Sequence, residues 1–219
     1  MAHRLRVPRH DLPAPIGAIM VEVAGDFGIT PAEVLEGTAI DEGALAAPDT
    51  RISLRDQTRM LESCLRRSGN PGFALHFGSR ISVAAVGDLG YALMCCRNVQ
   101  ELMEVMGHYH RLISGSFRIA VESGRDTVSI RLLGGMLHDA VEPADCEIFF
   151  AAAAASLRRL CALSDDALGV TLAYADPGYG EAYRRLICAN VRFEAPDNRL
   201  AVQRRYLDVP LQFANPTLL

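Results

Sequence analysis

The strongest hydrophobic pattern of the chain is a helical stripe between positions 99 and 113. Its apolar side carries, at spacings of three and four residues, Val99, Leu102, Met103, Met106, His110 and Ile113. Asn98, with Glu101 three residues later, is typical of a helix start. The pattern predicts an amphipathic helix with His110 on its apolar face and His108 on its polar face, so the two histidines cannot chelate one metal ion together.

The period changes from helical to two after Ser114-Gly115. Apolar and polar residues alternate over 117–121 and again over 128–132, on either side of a turn at 123–126. This pattern predicts a β-hairpin with one buried face.

Other segments complete the prediction. Helix starts are indicated at Thr30 with Glu33 and at Ser53 with Asp56. A long helix follows the hairpin, from about 142 or 143 to 163. Its segment 149–156 (FFAAAAAS) has no charged residue, so this helix is either the central core helix or a helix that packs against a partner subunit. The final third predicts a strand at 168–174, a helix at 179–188, and strands at 191–193 and 200–202.

These elements define a fold class. Helices fill the N-terminal half, and the order ββαβαββ follows. The prediction is an α+β fold in which a small, mostly antiparallel sheet is backed by helices. Residues 1–14, which are basic and contain Pro8 and Pro13, are predicted to form a flexible tail, and residues 15–219 a single domain.

Charge and composition narrow the function. The net charge of −4 and the absence of tryptophan give this chain neither the positive field nor the stacking surface of a nucleic-acid-binding domain. The six cysteines form no C-x-x-C pair and lie mostly among apolar residues, which is typical of a reduced protein. No apolar run is long enough to span a bilayer, so we expect a cytoplasmic protein with no membrane partner.

Motifs of common enzymes are missing from the sequence. It contains no G-x-S-x-G elbow, no phosphate-binding loop and no H-E-x-x-H zinc motif. Asp165-Asp166 is interpreted as a solvated turn rather than a catalytic dyad. We therefore predict a protein that is not an enzyme and that uses no cofactor or metal.

Five short phrases, taken in order, carry a family resemblance. They are GDLGYAL at 87–93, HYHRLI at 108–113, YRRLI at 183–187, VRFEAPDNRL at 191–200 and LDVPL at 207–211. Together they resemble the N-terminal effector domain, labelled "arabinose-binding", of one branch of AraC-type bacterial transcription regulators. Such regulators continue into two helix-turn-helix motifs, whereas this chain ends at Leu219 without either. The resemblance implies the sensing half of a regulator, a homodimer that contacts DNA only through a domain missing from this chain.

A sensor of this kind needs a pocket with apolar walls and a few polar groups. The candidate walls are Tyr91, Met94, Met103, Met106 and Phe149, and the candidate polar contacts are His110, Arg118 and Arg131. An arginine of the hairpin would suit a carboxylate. The expected effector is therefore a small metabolite: an organic acid, an amino acid or a fatty acid.

Several alternatives stay open. His110 is either a hydrogen-bonded core residue or a polar contact inside the pocket. Arg118 and Arg131, on the polar face of the hairpin, are either surface charges or ligand contacts. A haem or other cofactor sensor with His110 as ligand is the second hypothesis. A thiol-dependent enzyme using Cys95 or Cys96 beside Arg97 is the third.

Overall fold

The computed structural model of the protein describes residues 12–47, 50–112, 117–134, 142–215 and 217. The predicted α+β fold class is confirmed, because helices fill the N-terminal half and a five-stranded sheet dominates the rest. The predicted order ββαβαββ is also the observed order of the C-terminal half.

The N-terminal half is built from short strands and helices that surround their own apolar cluster. In chain order they are β1 (Leu12–Pro13), α1 (Ala14–Gly25), α2 (Pro31–Val34), α3 (Glu42–Leu45), β2 (Arg51–Ile52), α4 (Leu54–Arg67), α5 (Phe73–Arg80), a 3₁₀ turn (Val83–Val86), α6 (Asp88–Cys95), α7 (Val99–Tyr109) and a second 3₁₀ turn (His110–Leu112).

Helices in this half begin at the predicted caps. Thr30 and Glu33 form a complete capping box at α2. The Ser53 hydroxyl accepts a hydrogen bond from the Asp56 amide at 3.1 Å, and the Asn98 side chain accepts one from the Glu101 amide at 3.0 Å. These side chains satisfy amides that would otherwise lack partners in the first turn of each helix.

Residues 12–14, the last residues of the predicted N-terminal tail, are part of the fold. Leu12–Pro13 pairs antiparallel with Arg51–Ile52, and Ala14 is fully buried at the start of α1. The apolar side chains of Leu12 and Ala14 therefore belong to the N-terminal cluster and not to a tail. A two-residue strand is too short to produce a visible alternation, which is why the sequence pattern did not reveal it. Residues 1–11 of the predicted tail lie outside the described residues.

The C-terminal half forms the sheet and its helices. Its elements are β3 (Arg118–Ser123), β4 (Thr127–Leu133), α8 (Pro143–Cys161), β5 (Leu168–Thr171), α9 (Gly180–Leu186), β6 (Val191–Arg192) and β7 (Asn198–Gln203). The strand order is β3-β4-β7-β5-β6, and the pair β5–β6 is parallel while the other pairs are antiparallel.

The sheet has one apolar and one polar face, as alternation along the strands requires. Val128, Ile130 and Leu132 of β4 are buried against the helices. Their neighbours Ser129 and Arg131 point to the opposite, outer face. The predicted hairpin with a single apolar buried face is confirmed.

Helix α8 is the central core helix, the first of the two roles that its alanine-rich segment suggested. Phe150, Ala151 and Ala154 are fully buried in the cluster that includes the sheet. On its other side, Ile148 and Ala152 contact the N-terminal cluster. Small side chains along α8 therefore let helices and sheet approach it from both sides.

A buried carboxyl group joins α8 to α9. Glu147 is 2% exposed, and its Oε1 accepts hydrogen bonds from the hydroxyls of Tyr179 at 2.7 Å and Tyr183 at 2.5 Å. The hydroxyl of Tyr174 lies 3.1 Å from that of Tyr183. Burial raises the pKa of Glu147, although the two tyrosine hydrogen bonds oppose part of the rise.

This carboxyl group is expected to make stability depend on pH. The folded-state pKa of Glu147 lies above its ordinary value of 4.5. Its contribution to the free energy of unfolding is therefore fully present below pH 4.5 and is lost as the pH rises through the raised pKa. Glu147→Gln removes this titration while keeping the shape. In urea titrations, the free energy of unfolding of the variant is therefore expected to fall less with rising pH than that of the parent.

The control for this measurement is Glu181→Gln, which changes an exposed glutamate on α9. It should keep the parent's pH dependence. If plots of unfolding free energy against pH run parallel for Glu147→Gln and the parent, the pKa of the Glu147 carboxyl group does not change between the folded and unfolded states.

Candidate functional site

An apolar cavity of about 90 Å³ lies where the N-terminal helices meet the inner face of the sheet. Apolar side chains and two serines line it: Ile81, Ser82, Val83, Val86, Leu93, Leu102, Met103, Met106, Ile130, Phe149, Ala152, Ala153, Ser156, Leu157, Leu160 and Leu200. Apolar walls with few polar groups are typical of small-molecule sites. The volume is below the roughly 300 Å³ at which ligand pockets usually begin. An occupant that fills the cavity as it stands is therefore small.

Three of the predicted pocket residues meet in this cavity. Met103 and Met106 line it from α7, and Phe149 lines it from α8. The ring of Phe149 packs edge-on against Phe117, with 5.2 Å between ring centroids, and this contact fixes its position. The apolar stripe of α7 thus forms one wall of the cavity.

Two further walls were missed by sequence analysis. One is the 3₁₀ turn Val83–Val86 with the preceding Ile81 and Ser82, a segment too short for a periodic pattern. The other is the small-residue face of α8, where Ala152, Ala153 and Ser156 leave space. The charge-free segment 149–156 was the available signal, because alanines on a buried helix permit either a close neighbour or an open volume.

Tyr91 and Met94 of α6 do not line the cavity. Tyr91 is 60% exposed, and Met94 is half-buried against the main apolar cluster. Leu93 is the α6 residue that reaches the cavity wall. Each helical residue turns about 100° from the one before, so the neighbours of Leu93 point elsewhere.

His110 takes the role of a hydrogen-bonded core residue. It is 6% exposed; its Nδ1 lies 3.2 Å from the carbonyl oxygen of Gly107, and its Nε2 accepts a hydrogen bond from the Ile119 amide at 3.3 Å. Burial lowers the pKa of His110, which favours the neutral ring, and the Ile119 amide requires the tautomer in which Nε2 is the acceptor. Both ring nitrogens thus hold α7 to β3, and Nε2 is not free to bind a haem iron in this arrangement.

Arg118 and Arg131 lie away from the cavity. Arg131 pairs with Glu122 at 2.7 Å and lies 3.9 Å from Asp197 on the outer face of the sheet. Arg118 is exposed, and its Nε donates to the Gly134 carbonyl at 3.3 Å. Their neighbours Ile119 and Ile130 occupy the inner face, so strand alternation turns both arginines outward.

The two serines are the polar residues of the cavity lining. The Ser156 hydroxyl donates to the Ala152 carbonyl at 2.7 Å, and the Ser82 hydroxyl accepts from the Ala85 amide at 3.3 Å. Arg159, one helical turn beyond Ser156, donates to the carbonyl oxygens of Ser79 and Ile81 at 3.0 and 3.4 Å. The hydroxyl groups of the two serines and the guanidinium of Arg159 are therefore already bonded to backbone groups.

The geometry gives no support to the thiol chemistry considered for Cys96, whereas Cys95 is half-buried. Cys96 is fully buried, its thiol donates to the Ala92 carbonyl at 3.4 Å, and burial raises its pKa to about 12. The Arg97 guanidinium, which would have to activate a thiol, is paired with Glu101 at 2.9 Å. The Cys96 thiol therefore stays protonated and unreactive at neutral pH.

Across the described ranges, histidines, cysteines and carboxylates do not gather in groups suited to a metal ion. Within the same residues, no helix combines the length and apolar character needed to cross a bilayer.

Comparisons with known proteins agree with the motif resemblance. The family described as "Arabinose-binding domain of AraC transcription regulator, N-term" matches residues 28–211. An ornithine utilization regulator of Pseudomonas aeruginosa is 23% identical over 211 residues, which are 94% of this chain and 60% of that protein. An uncharacterized HTH-type transcriptional regulator of Mycobacterium tuberculosis is 29% identical over 133 residues, 60% of this chain and 37% of that protein.

The fold has a solved counterpart as well. The crystal structure of the transcriptional regulator CdpR from Pseudomonas aeruginosa matches with a TM-score of 0.65 and 18% sequence identity, covering 93% of this chain and 59% of that chain. The present chain thus spans about 60% or less of the length of these relatives, all of which are transcription regulators and not enzymes. The family match covers most of the chain and includes all five motif phrases. The chain belongs to the family of N-terminal arabinose-binding domains of AraC transcription regulators.

Proposed function

We propose that this chain is the ligand-sensing domain of an AraC-type regulator, and that the apolar cavity between α7, α8 and the sheet receives the apolar part of the effector. The observation that carries the proposal is the position of the cavity. It is walled by residues of both halves of the domain, so that an occupant contacts Val83 and Val86 on one side and Ile130 and Leu200 on the other.

Such a position suits a switch. A ligand that contacts both halves stabilises the relative position of the halves that binds it most tightly. Binding thereby shifts the population toward that conformation. The longer relatives support a DNA-binding domain attached to this one, through which the shift would act. We further propose, as the resemblance implies, that the domain forms a homodimer in the cytoplasm.

The walls of the cavity favour an aliphatic group as its occupant. A charged group inside it would lose its water without gaining a partner, because the lining is apolar apart from two serines. The arginines predicted as a carboxylate clamp face the other side of the sheet. Of the expected metabolite classes, we therefore favour those that can bury an uncharged hydrocarbon chain.

The proposal is tested by filling the cavity. Ala153 lines the cavity, so Ala153→Leu is expected to occupy the space that a ligand needs. Thermal unfolding would be recorded with a panel of short organic acids, fatty acids and apolar amino acids. A ligand at about 100 times its Kd stabilises by about 2.7 kcal/mol, which corresponds to roughly 5 to 10 °C in Tm for a domain of this size. We expect such a shift for the parent and none for Ala153→Leu.

Ala155→Leu is the matched control. Ala155 lies on the same helix but belongs to neither apolar cluster and does not line the cavity. It should keep the full ligand-induced shift. A ligand that stabilises Ala153→Leu as much as Ala155→Leu would place the binding site elsewhere.

A further inference from the structure

A second chamber lies beside the apolar cavity. It has a volume of about 130 Å³ and is formed by α7, the β3–β4 hairpin and the segment that follows β7. Unlike the cavity, this outer chamber is bordered by the exposed side chains of Gln100, Glu104, Ser123 and Arg204.

Met103 is the residue that the linings of the two spaces have in common. Its side chain lines both of them, and it is 1% exposed. On β4, Val128 borders the outer chamber and Ile130 the cavity; these residues share one face of the strand about 7 Å apart. Methionine is unbranched, with three rotatable side-chain bonds, so a rotamer change can join the spaces. The joined volume is about 220 Å³, closer than either space alone to the roughly 300 Å³ at which ligand pockets usually begin.

The outer chamber offers one group of each charge. The Glu104 carboxylate accepts a hydrogen bond from Gln100 Nε2 at 3.0 Å through Oε1, and Oε2 is a second acceptor. Arg204 is held in place by bonds to Ser123 Oγ and the Gly124 carbonyl, both at 2.7 Å, and to the Arg125 carbonyl at 3.1 Å. These bonds engage its Nη2 and Nε, and its Nη1 carries two further N–H donors.

We propose that the effector is a zwitterionic α-amino acid with a short aliphatic side chain. Its ammonium group binds Glu104, its carboxylate binds Arg204, and its side chain passes Met103 into the apolar cavity. This inference rests on the proposed function, since it uses the same cavity, and it adds the head-group site and the chemical class.

Charge and size exclude the nearest competitors. A fatty acid would leave Glu104 without an opposite charge, and an alkylamine would leave Arg204 without one. An amino acid with a cationic side chain, such as ornithine, would bring that charge into an apolar space without a partner. An engineered cavity of about 150 Å³ accepts benzene, so the 90 Å³ here suits a branched four-carbon chain better than an aromatic ring.

Three ligands of one shape test the head-group site. L-Leucine carries both charges, 4-methylpentanoate lacks the ammonium, and isoamylamine lacks the carboxylate. In calorimetric titrations we expect leucine to bind at least tenfold more tightly than either analogue, because each lost charged hydrogen bond corresponds to about a factor of ten. Glu104→Gln should weaken leucine about tenfold and leave 4-methylpentanoate unweakened.

Glu62→Gln is the control for the charge change, because Glu62 is an exposed glutamate of α4 that does not border the chamber. The involvement of Met103 has its own readout: its ¹³C-methyl resonance should shift when leucine is added. A resonance that does not move would remove Met103 from the path.

The outcomes separate this inference from the proposed function. If 4-methylpentanoate binds as tightly as leucine, or if aliphatic acids bind while leucine does not, and Ala153→Leu abolishes that binding, the zwitterion site is wrong and the cavity stands. Leucine binding that Glu104→Gln leaves unchanged overturns the head-group site. If Ala153→Leu binds leucine as tightly as the parent does, both proposals are wrong.

Discussion

Replacing Gly90 by alanine is expected to destabilise the domain by about 3 kcal/mol or more, at the upper end of overpacking effects. A Cβ atom at this position would lie 1.9 Å from the carbonyl oxygen of Val83 and 2.9 Å from a methyl group of Val86. The nearest obstacle is backbone, so helix α6 must move away from the 3₁₀ turn. The gain of up to about 1 kcal/mol in helix propensity does not offset such a displacement.

Urea unfolding of Gly90→Ala beside Gly25→Ala would measure this effect. Gly25 also lies in a helix, but a Cβ there meets no atom within 4 Å. Gly25→Ala should therefore change stability by less than about 1 kcal/mol, on the stabilising side. Equal stabilities for the two variants would mean that α6 does not approach the turn this closely. The glycine of the GDLGYAL motif would then need another explanation.

The second large effect is expected for Phe150→Ala, with a loss of about 3 to 5 kcal/mol. Phe150 is fully buried on α8, and its ring centroid lies 5.8 Å from that of Phe149. Truncation leaves a void in the main apolar cluster, beside the helix that both halves of the domain share. Neighbouring residues are held by helix and sheet packing, so they close the void only partly.

The same substitution at Phe213 provides the comparison. Phe213 is 57% exposed, so Phe213→Ala should cost no more than about 0.5 kcal/mol. Chemical unfolding followed by circular dichroism measures both variants. A Phe150→Ala protein as stable as Phe213→Ala would contradict the central position of α8.

Periodicity predicted the parts of the fold that run for several residues. The stripe of α7 and the alternation of the hairpin each repeat often enough to reveal which face is buried, and the charge-free segment of α8 indicated a helix that is buried on most sides. The caps at Thr30, Ser53 and Asn98 were predictable because they depend on local hydrogen bonds. Short elements such as β1, β2 and the turn at 83–86 depend on distant partners, so no local pattern could indicate them.

The site was only partly predictable for the same reason. Met103 and Met106 follow from the α7 stripe, but whether an apolar face is filled or left open depends on what packs opposite to it. His110 shares that stripe, yet a backbone amide of the neighbouring strand occupies its Nε2. Arg131 and Glu104 are both charged residues on amphipathic elements. Only the three-dimensional arrangement shows that Arg131 forms an ion pair with Glu122, whereas Glu104 borders the outer chamber.

The central claim is that the cavity between α7, α8 and the sheet accepts an apolar ligand, and methyl NMR under xenon pressure tests it most directly. Xenon enters apolar cavities without needing a polar contact. In protein labelled at the methionine methyl groups, Met103 and Met106 line the cavity, whereas Met20 and Met60 are fully buried in the N-terminal cluster and serve as internal controls. We expect the resonances of Met103 and Met106 to shift with xenon pressure while those of Met20 and Met60 stay in place. Unchanged resonances for Met103 and Met106, or equal shifts for all four, would contradict a ligand cavity at this position.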